Sequence, residues 1–98
     1  MEARELVRRR VVVADDAFAD IIVWRLPQPV AGSQHAFKYR LALVVGGACV
    51  LRYDNEAGKG DHRHVGNREE PYAFSSPQQL MDDFLGDVTR WKDESRHA

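Results

Sequence analysis

This chain is nearly without cysteine. Cys49 is the single one among 98 residues. An intrachain disulfide is therefore excluded, and Cys49, in an apolar run, reads as a small packed hydrophobe. No apolar run approaches the ~20 residues that a membrane-spanning helix needs. The start, Met1-Glu2-Ala3-Arg4-Glu5, lacks the pattern of a signal peptide, so the expectation is a cytoplasmic protein. Charge of one sign is missing too. Fourteen Lys and Arg stand against fifteen Asp and Glu, a net charge of −1, which argues neither for nor against nucleic acid. Repeats, low-complexity tracts and linker-like stretches are absent.

What remains is an ordinary globular composition, 44% hydrophobic and 30% charged. Residues 1–98 fit one domain, with a core but no room for a second. Charge is unevenly spread. Residues 1–60 carry nine Lys/Arg and seven Asp/Glu, net +2, whereas residues 61–98 carry five and eight, net −3.

The period of two is clearest over 37–45. Phe37, Tyr39, Leu41, Leu43 and Val45 alternate with Lys38, Arg40, Ala42 and Val44, the mark of a half-buried strand. Leu6 to Ala14 and Phe18 to Leu26 read as two earlier strands, the second stopped by Pro27 and Pro29. Cys49 to Asp54 is a fourth. A two-residue Gly46-Gly47 turn would set Leu41 opposite Arg52, whereas a three-residue Gly46-Gly47-Ala48 loop would set Val45 opposite Cys49, Leu43 opposite Leu51 and Leu41 opposite Tyr53; the second keeps apolar with apolar and is the expected hairpin. His62 to Gly66 is short enough to be a fifth strand, and the polar stretch Asn67 to Glu70 then meets Pro71.

Ser76-Pro77-Gln78-Gln79 is a helix start: Ser76 as cap, Pro77 at the first helical position, Gln79 closing a capping box. Leu80, Met81, Phe84, Leu85, Val88 and Trp91 form one helical stripe, and Lys92 to Ala98 is expected to fray. Gly86 reads as a small residue that lets the helix approach the sheet. The fold class is thus α+β. An antiparallel meander of four to five strands carries one C-terminal helix on one face. The other face, with Lys38, Arg40, Arg52 and part of Arg8 to Arg10, is open and positive. Its edge strands are liable to pair with another chain, giving a homodimer or taking up a partner segment.

The chemistry concentrates in Gly58-Lys59-Gly60-Asp61-His62-Arg63-His64. Seven residues hold two glycines, two cations, a carboxylate and two of the four histidines. In a strand, His62 and His64 share one face, with Asp61 and Arg63 on the other. Three uses compete. One is acid–base work on RNA. There one imidazole takes the 2′-hydroxyl proton and the other protonates the leaving 5′-oxygen, while Lys59 and Arg63 bind and stabilise the phosphate. Gly58 and Gly60 would let the backbone approach that phosphate. Another is a metal pair, with Asp61, Asp54 or Glu69 as third ligand. This is disfavoured by the flanking Lys59 and Arg63, and no Cys pair or HExxH pattern supports it. The bland use is a pair of exposed strand histidines. Gly58-Lys59-Gly60 is not a P-loop, since the upstream glycine and the following Ser/Thr are missing. Asp61 can orient an imidazole only if its loop curls back, and can equally cap a turn. His35 reads as a solvent-facing loop residue and His97 as an inert tail residue. Tyr53 is expected to point inward, with Tyr72 open between core and base stacking.

Tyr53-Asp54-Asn55, the Gly58-to-His64 string, Pro71-Tyr72 and the Asp82-Asp83-Phe84 helix together resemble the TumE family of small prokaryotic toxins. The likeness is good over roughly the second half of the chain. The first half matches in strand-rich character and length. The resemblance implies the toxin half of a type II toxin–antitoxin pair and a protein antitoxin as partner. It implies no chemistry, so the mechanism rests on the residues. The expectation is a metal-independent endoribonuclease with no cofactor and RNA as substrate, using His62, His64, Lys59, Arg63 and Asp61. The alternative is a non-enzymatic module that binds protein or nucleic acid through the same positive loop.

Overall fold

A computed structural model of the chain describes residues 2–96; the expectation for His97 lies outside them. Six strands and one helix follow in the order β1 (Arg4–Ala14), β2 (Ala17–Arg25), β3 (Phe37–Val45), β4 (Ala48–Asp54), β5 (His62–Val65), β6 (Arg68–Pro71) and α1 (Pro77–Arg96). The strands form one sheet in chain order, every neighbouring pair antiparallel. The expected meander is present, with six strands where four or five were anticipated. The additional strand, β6, has no apolar alternation. It pairs Arg68 with Val65, Glu69 with His64, Glu70 with Arg63 and Pro71 with His62. Proline is tolerated there because it ends an edge strand and need not donate to a further neighbour.

Strict alternation sorts the residues by face. Ala19, Ile21 and Val23 of β2, Tyr39, Leu41 and Leu43 of β3, and Leu51 and Tyr53 of β4 form the core with Leu80, Phe84 and Val88 of α1. The helix residues lie four apart, one above the other on a single stripe. Its start is as expected: the Gln79 backbone N–H donates to Ser76 Oγ at 3.0 Å. Gln79 does not close a capping box, because its side chain donates forward to Asp83. Leu85 is exposed rather than part of the stripe, and α1 continues to Arg96 instead of fraying from Lys92. A Cβ added at Gly86 would meet nothing within 4 Å, so this glycine does not serve helix–sheet approach.

The β3–β4 hairpin is also tighter than expected. Gly46 and Gly47 alone make the turn, both at positive φ (56° and 82°), as a two-residue hairpin of the primed type requires. Val45 pairs with Ala48 and Val44 with Cys49, then a bulge between Leu43 and Val44 restores Leu43 opposite Leu51 and Leu41 opposite Tyr53. The bulge satisfies two demands at once: glycine turn geometry at the tip, and apolar register where the sheet is buried. It also leaves Cys49 exposed, against the reading of a packed hydrophobe.

Candidate functional site

The face of the sheet away from α1 carries the candidate site. Two rows cross it. Arg10, Asp20, Ala42, Arg52, His64 and Glu69 form one, and Arg8, Ile22, Arg40, Asp54, His62 and Pro71 the next. Trp24 and Lys38 begin a third. This face is not simply positive. Arg10 pairs with Asp20, Arg8 with Glu5, and Arg52 with Asp54. Arg40 has no ion-pair partner among the described residues, and Lys38 Nζ donates to the Asn55 carbonyl at 3.0 Å.

His62 and His64 do share this face, both half-buried. They also share a carboxylate. Glu69 Oε1 lies 3.9 Å from His62 Nδ1 and 3.7 Å from His64 Nε2. On its other side His64 Nε2 is 3.1 Å from Arg52 Nη2 and 3.8 Å from Asp54 Oδ1. A guanidinium has only donors, so the contact with Arg52 requires a lone pair on His64 Nε2. The two imidazoles are therefore inequivalent. Both stand beside Glu69, but His64 also presents an unprotonated nitrogen to Arg52, a contact His62 lacks. Among the described residues, no three His, Cys, Asp or Glu side chains group so as to hold a metal ion.

The other residues of the Gly58-to-His64 string lie apart from this pair. Lys59 is exposed and bridges to Glu56 at 3.1 Å. Arg63 faces α1, opposite Tyr53, and binds Asp87 at 2.8 Å and Glu70. Burial opposes its charge, but the bonds to these carboxylates outweigh it and hold its pKa above the ordinary guanidinium value. Asp61 is turned away from the histidine pair, toward the Tyr39 hydroxyl. Its carboxylate accepts from Ser33 Oγ at 2.7 Å, His35 Nε2 at 2.6 Å and Tyr39 OH at 2.7 Å. His35 is thus not solvent-facing. The Phe37 N–H donates to its Nδ1, so Nε2 carries the proton given to Asp61, and its ring stacks on Phe74 with centroids 3.9 Å apart.

The glycines of the string have a structural use as well. Gly58 N–H donates to the Ala31 carbonyl at 2.7 Å, and a Cβ on Gly32 would come within 2.8 Å of the Gly60 nitrogen. The loops 26–36 and 55–61 are packed backbone to backbone, and only glycine fits at Gly32, where φ is +89°. Asn55, fully buried, completes the clamp. Its Oδ1 accepts from the Tyr39 N–H and its Nδ2 donates to the Phe37 carbonyl, extending the β3 ladder after β4 ends.

A second polar groove, of about 540 Å³, lies on the helix side between α1 and the strand edge. In it Tyr53 donates to Asp87 and Tyr72 to Asp83. Burial, then these bonds, raise both phenols well above their usual range. Tyr53 points inward as expected, and Tyr72 packs edge-on against it, so neither offers a face for stacking from the histidine side. Asp83 and Asp87 lie outside the apolar stripe of the helix. No local pattern reveals that Tyr53 of β4 and Tyr72, in the segment after β6, reach them.

The site and fold define a class: a small single-sheet α+β domain with a histidine–carboxylate–arginine row on its uncovered face. Within that class the chain belongs to the toxin family TumE, whose family profile (Toxin TumE) matches residues 2–92. No curated protein and no solved structure matches it.

Proposed function

We propose that this toxin is the effector of a type II toxin–antitoxin pair and acts in the cytoplasm as a metal-independent endoribonuclease, with His62 and His64 as acid and base. The observation that carries the reading is the asymmetry of the two imidazoles. His64 Nε2 turns its lone pair to Arg52, whereas His62 has Glu69 as its single ion-pair partner among the described residues. In the reaction His64 takes the proton of a ribose 2′-hydroxyl. The 2′-oxygen attacks the adjacent phosphorus, the P–O5′ bond breaks, and His62 protonates the departing 5′-oxygen. The products are a 2′,3′-cyclic phosphate and a 5′-hydroxyl.

Negative charge develops on the phosphoryl oxygens in the transition state. Arg52, in contact with His64, is the nearest cation to oppose it. Arg40, one strand further, and Lys59, on the loop whose Glu56 borders the same face, bind flanking phosphates. Arg63 and Asp61 act through position: Arg63 ties β5 to α1, and Asp61 ties the loop before β5 to β3.

The partner is a protein antitoxin. Strand β1 is eleven residues long with one neighbour, and Leu6 and Val12 on it are exposed, so an extended antitoxin segment has an edge to add to. A second copy of the chain is the other occupant of that edge. One observation favours the non-enzymatic alternative: Lys59, Asp61 and Arg63 are each already paired within the fold.

The test is cleavage of a labelled mixed-sequence RNA by purified protein, with and without EDTA, beside His64→Ala and His62→Ala. Cleavage that resists EDTA, leaves cyclic-phosphate ends and falls about 10²–10⁴-fold in either variant is the expected result. Cleavage that survives the double variant, or none from protein that is toxic in cells, would sink the assignment.

A further inference from the structure

Beside the histidines the uncovered face holds a groove of about 440 Å³ that neither imidazole lines. Its walls include Ile22, Trp24, Lys38, Arg40 and Arg52, with the carboxylates of Asp54 and Glu56 beside them. Trp24 is half-buried on β2, one strand from Lys38 and three strands from β5. At roughly 4.8 Å per strand, the indole and the histidine pair are about 14 Å apart across the sheet. An indole on a solvent-facing sheet surface is not required by the hydrophobic cluster that packs with α1 on the other face.

The cations of this groove are incompletely used. Arg40 lacks a carboxylate partner among the described residues. Arg52 Nε is buried without a hydrogen bond, although Asp54 Oδ2 is 3.2 Å away, because the pair is not aligned. A phosphate at the groove would supply the acceptor that Arg52 Nε lacks, beside its contacts with Asp54 and His64. Aromatic platform, apolar neighbour and adjacent cations are the parts with which sheet surfaces bind single-stranded nucleic acid: bases stack on the aromatic while cations follow the backbone.

We infer that the Trp24 groove is a subsite for single-stranded RNA. One unpaired base stacks on the Trp24 indole beside Ile22, and Arg40 and Arg52 hold the phosphates that lead from it to His64. The inference rests on the ribonuclease reading for its substrate class, yet concerns binding and not the cut. It makes the toxin selective for unpaired RNA, because a base inside a duplex has no free face to offer. It also sets the cut at a fixed distance from the stacked base.

The test uses the full chain in a Trp91→Phe background, where Trp24 is the remaining tryptophan. The probe is a short single-stranded 2′-deoxy oligonucleotide of mixed sequence, which lacks the attacking hydroxyl and stays intact. The expected result is quenching of Trp24 fluorescence with saturation. Affinity should fall about 5- to 100-fold in Trp24→Ala, much less in Trp24→Phe, and several-fold in Arg40→Gln, with duplex of the same sequence binding weakly. His62→Ala/His64→Ala should keep this binding while losing RNA cleavage. No quenching, or Trp24→Ala and Arg40→Gln binding as tightly as the parent, overturns the subsite even if the protein cuts RNA. Quenching by an oligonucleotide with no RNA cleavage overturns the ribonuclease reading and leaves the subsite standing. Quenching by a purified cognate antitoxin but by no oligonucleotide assigns the groove to protein and also overturns it.

Discussion

Replacing Asp61 by alanine separates a positioning carboxylate from a catalytic one. The Asp61 side chain is 10% exposed and accepts three hydrogen bonds, from Ser33, His35 and Tyr39. Ser33 Oγ can rotate to another acceptor. The Tyr39 hydroxyl and the His35 Nε2–H cannot, because ring packing on Phe74 and the bond from the Phe37 N–H fix them. Each buried donor left without an acceptor costs about 1–3 kcal/mol, so Asp61→Ala should lose about 4 kcal/mol. That is a large part of the roughly 5–15 kcal/mol that holds a small domain together. Asp61→Asn keeps one acceptor oxygen but turns an amide toward a donor, and should lose about half as much.

Urea unfolding followed by far-UV circular dichroism reads both, with the slope m unchanged and the midpoint lowered. In a chain this size the melting temperature of Asp61→Ala should drop by of the order of 20 °C. Tyr39→Phe closes a double-mutant cycle, and a coupling of at least ~1 kcal/mol is expected between the two sites. The reasoning is refuted if Asp61→Ala unfolds within ~1 kcal/mol of the parent. If Asp61→Asn is as stable as the parent but inactive on RNA, Asp61 is chemical rather than positional.

Two further outcomes follow from the same packing. Gly86→Ala should raise stability by about 0.5–1 kcal/mol, since its Cβ meets nothing and alanine is the better helix former; a lower urea midpoint would contradict this. All three tyrosines, Tyr39, Tyr53 and Tyr72, are held neutral by burial and then by bonds to Asp61, Asp87 and Asp83. Their folded pKa values lie above the unfolded value of ~10. The folded state then binds more protons above that pH, so this stability is complete below pH ~10 and is lost as pH rises beyond it. Phenolate absorbance should therefore appear only together with loss of circular dichroism, and a tyrosine that ionises in the folded protein would count against the packing.

Much was legible along the chain wherever the determinant is local. Strand β3 runs from Phe37 to Val45 because one face of every second residue must leave water, and that period of two is written in the sequence. Ser76 and Pro77 announce a helix start because a side-chain oxygen and a fixed φ act within one turn. The sharing of one face by His62 and His64 is equally local, a consequence of i and i+2 in a strand. A two-residue turn at Gly46-Gly47 looks wrong from hydrophobic pairing alone, because a bulge further on repairs the register and pairing does not say where the extra residue sits.

The amino-acid order by itself determined which residues alternate, where α1 begins and which face the histidines share, since each depends on neighbours a few bonds away. Only the tertiary structure decided what those residues meet. β6 is a strand because β5 offers it a ladder, not because Arg68-Glu69-Glu70-Pro71 prefers one. Asp61 meets His35 from 26 positions away, Arg63 meets Asp87 from 24, and Trp24 reaches the histidine face across two intervening strands. Such contacts are set by where the meander folds back and by which groups must find a partner once water is excluded, and neither quantity is a property of any short stretch of chain.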